Sequence, residues 1–100
     1  MTHYIGDRTI DGISVQADDK PLSPYYDQLR LTEHGFEWSY EGREPAQLAF
    51  ALLYDRLQDA ARAKALHKAF MERVVANFGN EWELTSGDID DAIQALSKPS

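Results

Sequence analysis

Phe36, Trp38 and Tyr40 occupy every second position of the stretch GFEWSY, and a few residues later LAFALLY (48–54) is apolar on nearly every side. A row at period two fits one face of a strand, and an all-round apolar run fits a buried helix. Each aromatic ring taken out of water hides roughly 150–250 Å². At about 25 cal/mol per Å², three such rings contribute on the order of the whole net stability of a small domain. A chain of 100 residues that left this face bare would show an apolar patch of the size that marks an interaction site. The row is therefore expected in the core, beneath the helix that follows it. A stacking platform for bases would call for basic neighbours, and the neighbours here are Glu37, Glu41 and Glu44.

Upstream, the chain reads as β-structure. Tyr4 and Ile5, then Ile13 and Val15, flank Asp11-Gly12, a hairpin signal. Pro21 and Pro24 interrupt regular structure. Leu29 and Leu31 then alternate with Gln28 and Arg30, and Gly35 supplies a turn before the aromatic row returns as the partner strand. This predicts an N-terminal antiparallel sheet of three to four strands with one covered face.

Downstream, the period changes to that of helices. Gly42 ends the row, Pro45 suits the first helical position, and the charge of Glu44 favours a helix N-terminus. Leu66, Phe70, Val74 and Phe78 recur at steps of four. One helix from Ala46 to Phe78 would be about 50 Å long, against a radius of gyration of about 13 Å for a compact domain of this size. A helical hairpin is expected instead, broken near Gln58-Asp59 with Asp59 as the cap. NEWEL (80–84) reads as a connection or strand. TSGD (85–88) matches a capped helix start, followed by Ile89, Ile93 and Leu96 on one face. The expected organisation is one α+β domain over 1–96, the sheet packed against the helical hairpin plus a short C-terminal helix, with a frayed tail at 97–100.

Composition excludes several chemistries. There is no cysteine, so disulfides, thiolate nucleophiles and cysteine-bound zinc are ruled out. No apolar run is long enough to span a bilayer, and the start of the chain lacks a signal-peptide pattern. A cytoplasmic location is expected, without a membrane partner. No Gly-rich phosphate loop, Gly-x-Ser-x-Gly or His-Glu-x-x-His occurs, and His3, His34 and His67 are scattered. Neither a cofactor, a metal nor a catalytic residue is predicted, and the expectation is a non-enzymatic protein.

The net charge is −7, which opposes direct binding to phosphate backbones. The charge is uneven. From 60 to 80, Arg62, Lys64, Lys68 and Arg73 face one acid, Glu72, whereas 81–91 holds Glu81, Glu83, Asp88, Asp90 and Asp91 with no base. Asp88 fits a helix N-terminus. The remaining acids fit a surface that occupies a basic groove on a partner.

The segments GFEWSYEGREPAQLAFALLYD, RAKALHKAFMERVVANF and WELTSGDI resemble a family of short bacterial proteins grouped as a domain of unknown function. Its pattern joins a Gly-Phe-x-Trp strand, a Pro-Ala-Gln-Leu-Ala helix and a Trp-x-Leu-Thr ending. Glu44 stands where that pattern often has Gly. The resemblance implies a single compact α+β domain and brings no catalytic residues. Families of this kind are frequent in phages and other mobile elements, whose small acidic proteins often inhibit host defence complexes, anti-CRISPR proteins among them.

These readings converge on a small acidic protein-binding module, an inhibitor of a nucleic-acid-handling complex with a basic subunit as its partner. Glu37, Glu41, Glu81, Glu83, Asp90 and Asp91 are the candidate partner-binding residues. The alternative is a structural or regulatory cytoplasmic domain that self-associates as a homodimer through surplus apolar helix surface.

Overall fold

The computed structural model describes residues 1–97. Three strands open the chain: β1 (His3–Thr9), β2 (Gly12–Ala17) and β3 (Lys20–Pro21). Helices α1 (Arg43–Leu57) and α2 (Ala60–Arg73) follow, then a 3-10 turn (Val75–Asn77), β4 (Glu81–Thr85) and α3 (Ser86–Ser97). The sheet has the order β3-β2-β1-β4, and every neighbouring pair is antiparallel. The expected α+β class holds, with four strands, a helical hairpin and a short C-terminal helix. Of the tail expected at 97–100, Ser97 ends α3 and the other residues lie outside the described ones.

The first hairpin forms where Asp11-Gly12 predicts it. Its tip is Ile10-Asp11, because Thr9 pairs with Gly12, which holds φ at 117°. A second tight turn joins β2 to β3 through Asp18 and Asp19, at φ 49° and 68°. Two successive left-handed residues match the twist of a two-residue hairpin, and aspartate tolerates that region better than most residues. The Asp18 carboxylate accepts from the His3 amide at 2.9 Å, which ties the turn to β1.

The strand pair expected over 27–32 and 36–40 is absent. From 22 to 42 the chain forms no helix or strand. Its backbone groups find a side chain instead of a neighbouring strand. Gln47, fully buried on α1, accepts from the Leu31 amide at 2.8 Å and donates to the carbonyls of Leu29 and Pro24 at 2.9 and 2.7 Å. The aromatic row is broken at Ser39, whose φ of 79° turns the chain while its hydroxyl donates to the Phe78 carbonyl. Only Trp38 of the three rings is fully buried; Phe36 is half-buried and Tyr40 is 45% exposed.

The aromatic core is assembled from separate segments. Trp38 meets Trp82 edge to face with centroids 5.7 Å apart, and Phe78 stacks on Trp82 at 4.4 Å. Arg8 closes this cluster. Its guanidinium lies 4.9 Å from the centre of the Trp38 ring, pairs with Glu37, and donates to the Trp38 carbonyl and the Asn80 side chain.

α1 starts at Arg43 after Gly42, so Pro45 stands third in the helix and Glu44 second. Proline is tolerated there because first-turn amides have no partner within the helix. The break between the helices falls where expected: Gln58 adopts a left-handed conformation and Asp59 caps α2, accepting from the Arg62 amide. The radius of gyration is 12.4 Å, consistent with the folded-back pair. At the start of α3, Thr85 and Asp88 exchange reciprocal hydrogen bonds of 2.9 and 3.1 Å, the capping box read from TSGD. Ile89 and Ile93 are buried beneath it, and Leu96 is half-buried.

Candidate functional site

The helices cover one face of the sheet and leave the other open. Tyr4, Val15 and Trp82 point inward and are buried. Because strand residues alternate between faces, His3, Ile5 and Asp7 of β1, Ser14 and Gln16 of β2, and Glu81 and Glu83 of β4 share the outer face. At its centre Ile5 is 42% exposed. A shallow depression of about 360 Å³ between β1 and β4 is lined by Ile5, Asp7, Glu81 and Glu83, among others. A second adjoins it, where His3, Ile5 and Glu83 meet Gln16 and the Asp18-Asp19 turn.

The register of β1 on β4 sets the electrostatics of this face. Asp7 stands directly opposite Glu81, and Ile5 opposite Glu83. Like charges directly across an antiparallel pair destabilise it. The imidazole of His3 lies 2.6 Å from Glu83. Among the described residues no cation pairs with Asp7 or Glu81. The face therefore carries uncompensated negative charge around an apolar centre.

The six acids expected to bind a partner do not share one surface. Glu81 and Glu83 stand together on the open face. Glu37 is engaged with Arg8 at the aromatic core. Asp90 receives two hydrogen bonds from Arg56, at 2.8 and 2.6 Å, which join α3 to α1 and hold its carboxyl below the usual range. Glu41 and Asp91 are exposed, on the loop before α1 and on α3. Asp7 was not among the expected residues. Its signal was the alternation of His3, Ile5 and Asp7, whose meaning depends on β4 arriving beside β1.

The family model of DUF6166, described as a family of unknown function, matches residues 4–95. The chain belongs to DUF6166. The match runs from Tyr4 in β1 to Ala95 in α3 and so takes in every residue named on the open face except His3. The chain matches no curated protein and no solved structure.

The half-buried carboxylate of Asp55 is already committed. Asp55 accepts from the hydroxyls of Tyr4 and Tyr25 at 2.7 and 2.6 Å, which joins β1 and the 22–42 segment to α1. Burial, and then these hydrogen bonds, raise both phenols well above their ordinary range. His34 lines a groove with Arg30, Thr32, Arg43 and Glu44. Glu44 there accepts from the Thr32 hydroxyl at 2.6 Å, which lowers its pKa. His67 contacts the Lys64 carbonyl on its own helix. Among the described residues no three His, Asp or Glu side chains form a group able to hold a metal ion. Among the described residues no helix is long and apolar enough to cross a membrane.

Proposed function

We propose that this chain is a non-enzymatic protein-binding module whose acidic open sheet face docks on a basic protein surface. The observation that carries the reading is the Asp7–Glu81 pair: two like charges face each other beside exposed Ile5, without a neutralising cation among the described residues. A partner supplying lysine or arginine would relieve that repulsion and cover the apolar centre. Complementary charge across an interface speeds encounter and selects partners.

The finer reading is that the partner is a basic nucleic-acid-binding subunit. An acidic face competes for the groove that such a subunit offers to phosphates. The resemblance to small bacterial mobile-element proteins supports an inhibitor of a host defence complex, in the manner of anti-CRISPR proteins. The net charge of −7 argues against nucleic acid as the direct ligand.

The test is capture of partners from nuclease-treated bacterial lysate at low and high salt, with the wild-type chain and with Glu81→Lys/Glu83→Lys. Recovery of a nucleic-acid-handling complex, released by salt and lost in the charge-reversed variant, is the expected result. The control Asp91→Lys should leave capture unchanged. Capture indifferent to both salt and the reversal would overturn the reading.

A further inference from the structure

The two edges of the sheet are finished differently. On one side β3 is two residues long and ends in Pro21, which has no amide to offer a further strand; short edges and prolines are ordinary ways to close a sheet. On the other side β4 runs for five residues without proline.

The hydrogen bonds of β4 show which groups remain free. The Arg8 amide donates to the Asn80 carbonyl at 3.0 Å, and the Ser86 amide donates to the Thr2 carbonyl at 2.9 Å. Both pairs continue the β1–β4 register. In an antiparallel ladder, residues that bond to the neighbour alternate with residues that face away. Asn80, Trp82, Leu84 and Ser86 therefore face β1, while Glu81, Glu83 and Thr85 face the outer edge. The Thr85 amide is taken by Asp88. The amides and carbonyls of Glu81 and Glu83 have no partner among the described residues.

We infer that β4 is a strand-addition edge that receives an extended basic segment of a partner protein. An added strand would bond to the backbone of residues 81 and 83. Its side chains opposite Glu81 and Glu83 would project on the open face, where lysine or arginine at alternate positions would meet both glutamates. The residue between them would turn toward Trp82. Charge also argues against a second copy of this chain. Antiparallel self-pairing of β4 about this edge sets glutamate beside glutamate, adding like-charge pairs to the Asp7–Glu81 pair already present.

This inference rests on the proposed function and specifies its geometry. Its test is separable from the lysate capture. The probe is a short peptide alternating lysine and valine, with a matched peptide N-methylated at two alternate amides that would face β4. N-methylation keeps the charge and removes the backbone donors. Binding is read at low salt by the amide spectrum and amide exchange of the intact chain. The expected result is slowed exchange at Glu81 and Glu83 with the unmodified peptide, and binding weaker by about tenfold or more with the methylated one.

Glu83→Pro removes an edge-facing donor while sparing the β1 ladder, and it should weaken the unmodified peptide comparably. Glu83→Gln, which keeps the donor, separates loss of charge from loss of the backbone bond. Equal binding of both peptides without protection at 81 and 83 would overturn strand addition and leave docking by charge alone. Absence of binding by either peptide would also overturn it, with the lysate experiment still able to support an acidic docking face.

Discussion

The indole of Trp82 lies against the backbone of Gly6 so closely that a β-carbon at residue 6 would stand 2.2 Å from both Cε2 and Nε1. Gly6 and Trp82 are opposite one another in the β1–β4 ladder, so the missing side chain makes room for the ring that joins the sheet to Trp38 and Phe78. Gly6→Ala should displace an indole that is only 8% exposed. Overpacking of this kind destabilises by about 1–3 kcal/mol. Chemical denaturation should show that loss, and tryptophan fluorescence should shift toward a wetter environment. An unchanged midpoint and spectrum would mean that the ring does not occupy this position.

Gln47 is the second point on which the fold depends. Its amide replaces a strand partner for the 22–42 segment by bonding Leu31, Leu29 and Pro24. Gln47→Leu keeps the approximate volume and removes all three bonds. Each buried group left unpaired costs about 1–3 kcal/mol. The expected outcome is a loss in that range or above, together with faster amide exchange at Leu31. Exchange at the β1–β2 ladder should change far less if the segment opens locally.

These two contacts show where sequence reasoning reached and where it stopped. Local signals were legible: the turn at Asp11, the cap at Asp59 and the Thr85–Asp88 box depend on residues within a few positions. The alternating leucines and aromatics of 27–40 promised strands, because alternation is the usual mark of a half-buried strand. A strand also needs a partner for its amides, and Gln47 and the left-handed turn at Ser39 met that need in another way. The open acidic face was half legible. Glu81 and Glu83 stood out by charge, whereas Asp7 joined them through a pairing made across most of the chain. Asp90 and Glu37 looked equally free in sequence; only folding brought Arg56 and Arg8 to them.

Asp59 caps α2 by accepting from the Arg62 amide at 3.1 Å, directly after Gln58 in its left-handed conformation. Asp59→Ala removes the acceptor and should lower stability by about 1 kcal/mol, as cap removals commonly do. Asp59→Asn and Asp59→Ser should restore most of it. Equal stability of all three variants would show that the break is held by the packing of α1 on α2 without the cap.

Tyr4 and Tyr25 make folding sensitive to alkali. Both hydroxyls are donors to Asp55, and burial together with that bond raises both above the ordinary value of 10.0. For a group raised on folding, the stabilisation is fully present below the unfolded value and is lost as pH rises toward the folded one. Stability should therefore hold up to about pH 10 and fall beyond it. The tyrosinate absorbance of Tyr4 and Tyr25 should appear together with loss of helical circular dichroism, because these phenols ionise as the chain opens. Tyr4→Phe/Tyr25→Phe should be less stable at neutral pH, with Asp55 left without its donors, and should show a shallower alkaline fall. Ionisation of every tyrosine near pH 10 with the helices intact would mean that Asp55 does not hold the two hydroxyls.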